Sequence, residues 1–271
     1  MSSKALYDFD EARYAEIAKN VIKTGNILVP LSGGPDEPRD LAFIKLQNGE
    51  ALYPYFWKPP LHTLVLVFFM KLFGVSELSV RLPSLLFSIS AVFLVYKLTK
   101  KLFKTYDWAP FVASTFFITT NDFSFISSQG LAEAQLLFLS LVSIWFALKK
   151  TSRDVFLSGI FFGLAFMTKS FITFWVPLLV LFILFSRDLK QYFKFIALFV
   201  VASLIIILPW HFYMWFTFGQ IFIDRYIIVN LIGRTAGIQN PAPFQWYLIY
   251  MLDQWKPYIF LLSVFSYFLL H

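Results

Sequence analysis

The chain has 271 residues, of which 58% are hydrophobic and only 14% are charged. Soluble domains carry roughly 25% charged residues, so this composition excludes a soluble globular protein and indicates a membrane protein with several spans. The absence of cysteine excludes disulfides and thiolate sites, and the net charge of +7 lies in short basic segments between apolar runs, which indicates membrane orientation rather than nucleic-acid binding.

The first predicted element is an amphipathic helix in YDFDEARYAEIAKN, residues 7–20. Its apolar stripe consists of Ala15, Ala18, Val21 and Ile22. Gly25 is typical of a helix end. Asp10 stands directly before the helical pattern and predicts an N-cap, because a carboxylate accepts hydrogen bonds from the free amides of the first turn. An N-cap role does not exclude a catalytic one.

The next segment, SGGPDEPRDLAFIKLQNGEALYP, spans residues 32–54 and predicts a solvated loop. Its acids Asp36, Glu37 and Asp40 favour a charged surface over a metal cluster. The run that follows, residues 61–73, is too short to span a bilayer and contains Lys71. An interfacial or re-entrant helix is therefore expected there.

Longer apolar runs follow at residues 82–98, 108–126, 131–148, 155–168, 171–185, 193–216 and 257–270. Each predicts a helix of the membrane bundle, since a span needs about 20 residues and several of these runs approach that length. Lys169 and Ser170 interrupt the long stretch 155–185, which predicts two helices joined by a tight turn.

Lysine and arginine cluster in alternate loops after the first, third and fifth runs. The clusters are Lys97, Lys100, Lys101 and Lys104, then Lys149, Lys150 and Arg153, then Arg187, Lys190 and Lys194. The positive-inside rule places these loops in the cytoplasm. Residues 1–81, 121–130, the turn at Lys169 and residues 217–256 are then expected outside.

This orientation predicts two regions: a first external loop with juxtamembrane helices at residues 1–81, and a transmembrane helix bundle at residues 82–271. The fold class is an all-α polytopic membrane protein. Because the external first loop has no apolar run before it and the chain ends in the apolar stretch PYIFLLSVFSYFLLH, we expect a fragment that lacks a first transmembrane helix.

Several motifs then occur in a fixed order. They are DEARYAEIAKNVIKTGNILVP, YFWKPPLHTLVLVFFMKLFG, SELSVRLPSLL, GIFFGLAFMTKSFITFWVPLL, ILPWHFYMWFTFG, NLIGR and PAPFQWYL. Together they resemble the polyprenyl-phosphate-dependent membrane glycosyltransferases of the GT-C superfamily, above all the aminoarabinose transferases of lipid A and the dolichyl-phosphate-mannose protein mannosyltransferases. The resemblance covers essentially the whole chain.

The resemblance implies a GT-C-like bundle that transfers a sugar from a dolichyl or undecaprenyl phosphate carrier to a protein or glycolipid acceptor, at the external face of the plasma membrane. Membrane lipids are its surroundings, and no nucleic acid is involved. Asp10 matches the acid of the first loop and is the implied general base, with Glu11 as the alternative. Chemistry of this kind needs a base, cations for the leaving phosphate and an apolar groove for the prenyl tail.

Two cations match phosphate-binding positions of the family: Lys58 in YFWKPP and Arg234 in NLIGR. Considered alone, Lys58 beside aromatic residues is more typical of a snorkelling interfacial lysine than of a phosphate ligand. Arg13 and Arg225 are weaker candidates. Lys169, at the helix break, is a further phosphate ligand or an anchor of the turn.

Glu133 is a possible supporting acid near the start of an apolar helix, where a carboxylate needs a partner or a function. It also lies in a first turn, where negative charge is favourable. The family commonly has an arginine five residues before this acid, but here the position is Ser128. The sequence therefore does not indicate the partner of Glu133.

A metal site is not expected, and no cofactor is predicted. In aminoarabinose transferases an acid precedes the phosphate-binding lysine and a histidine lies five residues before the second cation, but this chain has Trp57 and Val229 there. The three histidines of the chain, His62, His211 and His271, lie far apart in the sequence.

The alternative function is a non-catalytic transporter of a lipid-linked or small solute. Such a protein would place a polar site at the bilayer midplane between broken helices. The break at Lys169 is the feature that favours this alternative.

Overall fold

The computed structural model describes residues 9–33, 44–45, 51–185 and 188–232, together with the helical positions Gln245, Ile249 and Leu252. The chain divides into two compact units, residues 1–226 and 227–271. The first unit holds a helix bundle and a small sheet. The described part of the second unit consists of the end of a π-helix and the three isolated positions.

The helices are α1 (Phe9–Thr24), α2 (Leu61–Phe73), α3 (Glu77–Leu102), α4 (Ala109–Ile118), α5 (Asn121–Ser128), α6 (Ala132–Ala147), α7 (Ser152–Lys169), α8 (Trp175–Leu184), α9 (Leu189–Phe218) and α10 (Gln220–Phe222). A 3-10 helix (Ser170–Phe174) separates α7 from α8, and a π-helix (Ile223–Ile232) follows α10. The strands β1 (Leu31–Ser32), β2 (Ile44–Lys45) and β3 (Ala51–Pro54) form an antiparallel sheet in the order β1-β3-β2.

Within the described residues, the helical stretches long and apolar enough to cross a membrane are Glu77–Leu102, Leu189–Phe218 and Ser152–Leu184, the last of which is interrupted at Lys169. The pair α5 and α6, bent by 112°, makes a fourth if it is counted as one span. Large apolar side chains cover the outside of the bundle, and Phe182 and Phe216 are 79% and 80% exposed. Lipid is the solvent that such a surface needs. The prediction of a helical, polytopic membrane protein is confirmed.

The turn predicted at Lys169 and Ser170 is also confirmed. The packing of α7 on α9 shows in which direction the chain runs before and after this turn. Gly159 of α7 faces Phe199 of α9, and Gly163, one turn later, faces Ile206. Because both positions advance together, α7 and α9 are parallel, so the intervening α8 must return the chain. Ser170 adopts a left-handed φ of 57° at the break.

One predicted helix is wrong. Residues 108–126 form α4 and α5 instead of one continuous helix, because Thr120 ends the first and caps the second. Its hydroxyl donates to the carbonyl of Phe117 (2.9 Å) and accepts the amide of Phe123 (3.2 Å). The run 257–270 lies outside the described residues.

The bundle also begins earlier than the apolar pattern indicated. The helix α3 starts at Glu77 behind a capping box between Ser76 and Ser79, so the predicted division at residue 81 lies within its first turns. The division into two regions stays a prediction. The helix α2 has the predicted limits, and its interfacial position likewise stays a prediction.

The small sheet was not predicted, and it determines where the first loop places its residues. Leu31 pairs with Pro54 and Ser32 with Tyr53. The amide side chain of Asn20 on α1 donates to the carbonyl of Leu31 at 3.1 Å. The sheet therefore brings the chain back to α1 just before Lys58. Asp36, Glu37 and Asp40 lie outside the described residues.

We expect Gly159→Leu to destabilise the bundle. A Cβ atom at this position would lie 2.3 Å from the carbonyl oxygen of Phe199 and 2.8 Å from Cβ of Ala202, so α7 and α9 would have to separate. Overpacking of this kind costs about 1–3 kcal/mol or more. Thermal unfolding in detergent measures the effect as a lower melting temperature.

The matched control is Ile160→Phe, which adds volume at the half-buried neighbouring position. It should leave the melting temperature nearly unchanged. Equal melting temperatures for Gly159→Leu and the unaltered protein would contradict the close packing of α7 on α9.

Candidate functional site

The first turn of α1 carries the predicted base. The helix begins at Phe9, so Asp10 lies inside the first turn and does not precede the helix as an N-cap. Its Oδ2 accepts a hydrogen bond from Nζ of Lys58 at 3.1 Å. The same ammonium donates to the hydroxyl of Tyr14, one turn later on α1. Sequence reasoning missed Tyr14, which the periodicity indicated only as part of the helix.

Lys58 lies between β3 and α2, where Pro59 and Pro60 restrict the backbone. The residue is only 8% exposed, so its ammonium does not reach for solvent and the snorkelling interpretation is wrong. Burial lowers the pKa of Lys58, and repulsion from Lys169 lowers it further, while Asp10 and Glu133 act in the opposite direction.

The carboxylate of Asp10 is partly accessible, with 41% of its side chain exposed. Burial by itself would raise the pKa of this carboxyl group, but the charge and hydrogen bond of Lys58 outweigh it, and the pKa lies below its ordinary value. Lys169 adds to the decrease. Asp10 is therefore an ionised acceptor in a half-buried position.

The adjacent acid, Glu11, is fully buried and has a different set of partners. Its two oxygens accept hydrogen bonds from Nε and Nη2 of Arg81 at 2.8 and 3.1 Å, and the amide of Gly130 donates to it at 2.7 Å. These contacts join α1 to α3 and to the turn before α6. Both oxygens of Glu11 are thus occupied by the protein, which favours a structural role over catalysis.

Glu133 forms an ion pair with Lys169. Ser128 stands where the family has an arginine, so the partner of Glu133 is instead Lys169, which lies 36 residues after Glu133 in the chain. Lys169 is the last residue of α7, directly before the strained Ser170. The structure thus pairs Asp10 with Lys58 and Glu133 with Lys169, and the charge of Lys169 contributes to the lowered pKa values of Asp10 and Lys58.

A buried polar chain lies beside this group, and the sequence did not indicate it. Nδ1 of His62 is 3.0 Å from Oε1 of Gln135, whose amide donates to the hydroxyl of Thr168 at 3.2 Å. Because Gln135 presents its oxygen, His62 donates through Nδ1. Burial lowers the pKa of His62, against the hydrogen bonds of Gln135 and Gly130.

A second buried chain holds the turn after Lys169. The hydroxyl of Tyr226 lies 2.9 Å from the hydroxyl of Ser170 and 3.0 Å from Nε2 of His211. The other ring nitrogen of His211 lies 2.7 Å from the carbonyl of Ile207. Together these contacts fix Ser170, and hence the end of α7 that presents Lys169.

The other predicted cations differ from Lys58 and Lys169 in their positions. Arg13 lies half-buried on α1 and contributes to the low pKa of Asp10. Arg225 is exposed in the π-helix. Arg234 lies outside the described residues, and its role stays a prediction.

The arrangement combines an accessible carboxylate with ammonium groups in a largely buried setting. A carboxylate of this kind can accept a proton from a hydroxyl, and ammonium groups can stabilise an anionic leaving group much better there than in bulk water. Within the described residues, no group of three or more histidine and acidic side chains could hold a metal ion.

Comparisons with known proteins agree with this chemistry. The chain is 28% identical over 78% of its length to an undecaprenyl phosphate-alpha-4-amino-4-deoxy-L-arabinose arabinosyl transferase of Pseudomonas aeruginosa, covering 37% of that protein. It is 24% identical over 97% of its length to a second such enzyme from Proteus mirabilis, covering 46%. The chain thus spans less than half the length of these curated relatives.

Two solved structures share the fold. They are ArnT from Cupriavidus metallidurans in the apo state, with a TM-score of 0.66 at 22% identity over 83% of this chain, and the same protein bound to undecaprenyl phosphate, with a TM-score of 0.65 at 20% identity over 85%. The chain covers 40% and 41% of those proteins. The GT-C-like fold is confirmed.

The sequence profile of the dolichyl-phosphate-mannose-protein mannosyltransferase family matches residues 57–215, from the residue before Lys58 to the last turn of α9. This region includes Arg81, Glu133 and Lys169, and it covers more than half of the chain. The protein therefore belongs to the dolichyl-phosphate-mannose-protein mannosyltransferase family of membrane glycosyltransferases.

Proposed function

We propose that this protein transfers a sugar from a polyprenyl phosphate carrier to a glycolipid or protein acceptor at the external face of the plasma membrane. One observation carries the proposal: Asp10, a half-exposed carboxylate, is bound to the buried ammonium of Lys58. The positive charge of Lys169 also contributes to the lowered pKa of Asp10. The named relatives are transferases of an undecaprenyl phosphate-linked aminosugar, and one neighbouring structure binds undecaprenyl phosphate. Those names support a carrier of the same chemical class.

The reaction exchanges one bond at the anomeric carbon of the donor sugar. Asp10 accepts the proton of the acceptor's nucleophilic group, whose oxygen or nitrogen forms a new bond to that carbon. The bond from the carbon to the phosphate oxygen breaks, and its electron pair stays on the phosphate. Lys58 and Lys169 stabilise the resulting charge on the polyprenyl phosphate.

Lys58 is suited to this role because an ammonium has three N–H donors. Asp10 and Tyr14 take two of them. The third can bind an oxygen of the donor phosphate while the other two hold the amine in place. Proline at both following positions keeps the backbone of Lys58 from moving away.

The prenyl chain of the donor needs an apolar surface. The membrane-facing side of α9 carries a groove of about 330 Å³ lined by Val201, Leu204, Ile205, Leu208, Pro209 and Phe212. It includes residues next to His211, whose partner Tyr226 holds the turn after Lys169. An isoprenoid chain lying in this groove would meet only carbon atoms of these side chains.

The orientation of the chain supports an external site. Lys149 and Lys150 lie before the start of α7 and Lys169 at its end, so the positive-inside rule places Lys169 and its partners on the opposite side from the cytoplasm. The break at Lys169 does not favour a transporter, because the lysine is paired with Glu133 and the turn is held by Tyr226.

We expect Asp10→Asn to abolish most of the transfer. Asparagine keeps the size of the side chain and can still accept the hydrogen bond of Lys58, but it cannot take a proton from the acceptor. Loss of a general base lowers the rate by about 10²–10⁴-fold. The measurement is transfer of radiolabelled sugar from polyprenyl phosphate donors in membranes that contain the full chain.

Glu16→Gln is the control on the same helix. Glu16 accepts the amide of Gly33 at 2.8 Å, an interaction that glutamine retains, so the rate should not change. Equal transfer by Asp10→Asn and Glu16→Gln, at equal protein level, would exclude Asp10 as the base.

We expect Glu11→Gln to act on stability. Neutralising the fully buried carboxylate removes the buried counter-charge of Arg81, and breaking a buried ion pair costs about 3–5 kcal/mol. Thermal unfolding in detergent should show a large decrease in melting temperature. The control, Glu77→Gln, removes a second and exposed acid 3.7 Å from Arg81 and should cost less than about 1 kcal/mol. Normal stability with lost transfer would instead identify Glu11 as the base.

The transfer rate should resist acid. The pKa of Asp10 lies below its ordinary value, so the carboxylate stays ionised as pH falls toward roughly 4, where an ordinary aspartate takes up its proton. A sugar phosphodiester donor does not titrate in this range. We expect kcat/KM for the donor, which reports the free enzyme, to stay level from pH 7 to 5, and a midpoint within that interval would show that another group is the base.

A further inference from the structure

Some buried oxygen atoms lack a hydrogen-bond partner within the described part of the chain. They are the hydroxyl oxygens of Ser88 and Ser140, Oε1 of Gln129 and Oε2 of Glu133. A serine hydroxyl inside a helix can turn toward the carbonyl of the preceding turn. The oxygens of Gln129 and Glu133 have no such local solution. Gln129 lies on the short connection from α5 to α6, and Glu133 lies in the first turn of α6.

A carboxylate oxygen that is buried without a donor costs free energy. Oε1 of Glu133 is bound to Lys169, whereas Oε2 is buried and has no donor. The ion pair of Glu133 with Lys169, and the contact of the nearby Gly130 amide with Glu11, locate this unmatched acceptor beside the group of charges around Asp10.

The chemistry of the two acceptors restricts what can bind them. A phosphate oxygen would be repelled by Glu133 and cannot donate to Gln129. A sugar ring carries hydroxyl or ammonium groups that donate. In the donor the sugar is attached directly to the phosphate, so a phosphate held by Lys58 and Lys169 places the ring within a few bonds of both lysines.

We propose that Glu133 binds the sugar of the donor, with Oε2 accepting a hydrogen bond from a hydroxyl or ammonium group of the ring and Oε1 of Gln129 as a second acceptor. The inference rests on the proposed function and adds the residues that recognise the sugar. Lys169 then has two tasks: it contacts the phosphate and it pairs with Oε1 of Glu133.

The connection that carries Gln129 and leads into the first turn of α6 is held rigidly. The amide of Gly130 donates to Glu11 at 2.7 Å, and a Cβ atom at Gly130 would lie 2.3 Å from Cγ1 of Val80. Glu11 is the neighbour of Asp10. The base and the sugar-binding turn are thus fixed to each other through one buried carboxylate, which is the preorganisation that a sugar transfer requires.

The test compares a carrier with and without its sugar. Undecaprenyl phosphate, an undecaprenyl phosphate hexose and an undecaprenyl phosphate 4-amino-4-deoxypentose compete with radiolabelled undecaprenyl phosphate for the full chain in phosphatidylglycerol nanodiscs. We expect the unaltered protein to prefer a sugar-bearing carrier over the sugar-free carrier. Glu133→Gln should reduce that preference about tenfold or more, the range for a hydrogen bond to a charged group.

The size of the loss distinguishes the donating group on the sugar. A greater loss for the aminopentose than for the hexose means that an ammonium faces Glu133, and an equal loss means a hydroxyl, both of which support the inference. Gln129→Leu, which leaves the ion pair with Lys169 intact, should also reduce the preference without weakening the sugar-free carrier.

The matched control is Asp154→Asn. Asp154 is paired with Lys149 at 3.2 Å at the opposite end of α7, and its loss should leave the preference unchanged. If Glu133→Gln weakens all three carriers equally, Glu133 acts only on the phosphate through Lys169 and the inference is wrong, while the proposed function stands. If the unaltered protein binds none of the three, the proposed function fails and the inference with it.

Discussion

The ion pair between Glu11 and Arg81 is the interaction on which the site depends. Glu11 is fully buried, and a buried carboxylate needs charge and hydrogen bonds from its surroundings. Arg81 supplies both, and the amide of Gly130 adds a further donor. These partners come from α3 and from the turn before α6, so a single carboxylate fixes α1 against two other parts of the bundle. The apolar face of α1, which includes Tyr14, Ala15 and Ala18, packs into the core in the same orientation.

Fixing the rotation of α1 decides what its neighbouring acid does. Consecutive residues of a helix point about 100° apart, so once Glu11 faces Arg81, Asp10 must face elsewhere, and it meets Lys58. Tyr14, one turn further on, reaches the same ammonium. Two adjacent acids of identical charge thus have different partners, and one is fully buried while the other stays 41% exposed.

The sequence predicted the parts of this structure that depend on local patterns. Hydrophobic runs predicted α2, α6 and α9 closely, and Lys169 with Ser170 predicted the turn after α7. It predicted 108–126 as one helix because apolar composition does not show that the hydroxyl of Thr120 can end one helix and cap the next.

The partner of Glu133 was unpredictable for a similar reason: Lys169 is 36 residues away, and only the return of the chain through the bundle brings them together. Arg81 and His62 lay within recognised motifs, but a polar residue in an apolar stretch shows that a partner is needed without showing which one.

Each lysine of the site is paired with an acid, an arrangement that a membrane protein can tolerate. Lys58 and Lys169 are only 9% and 15% exposed in their side chains, and each is paired with an acid. Unpaired ammonium groups in such a setting would lose their charge or destabilise the fold. Pairing also limits their attraction for simple anions, because part of the charge of each lysine is already satisfied. Under the proposed function a ligand must offer more than a phosphate, and the buried acceptor oxygens of Glu133 and Gln129 suit one that also brings hydrogen-bond donors. The ion pairs that stabilise the protein would then favour a phosphate that carries a sugar.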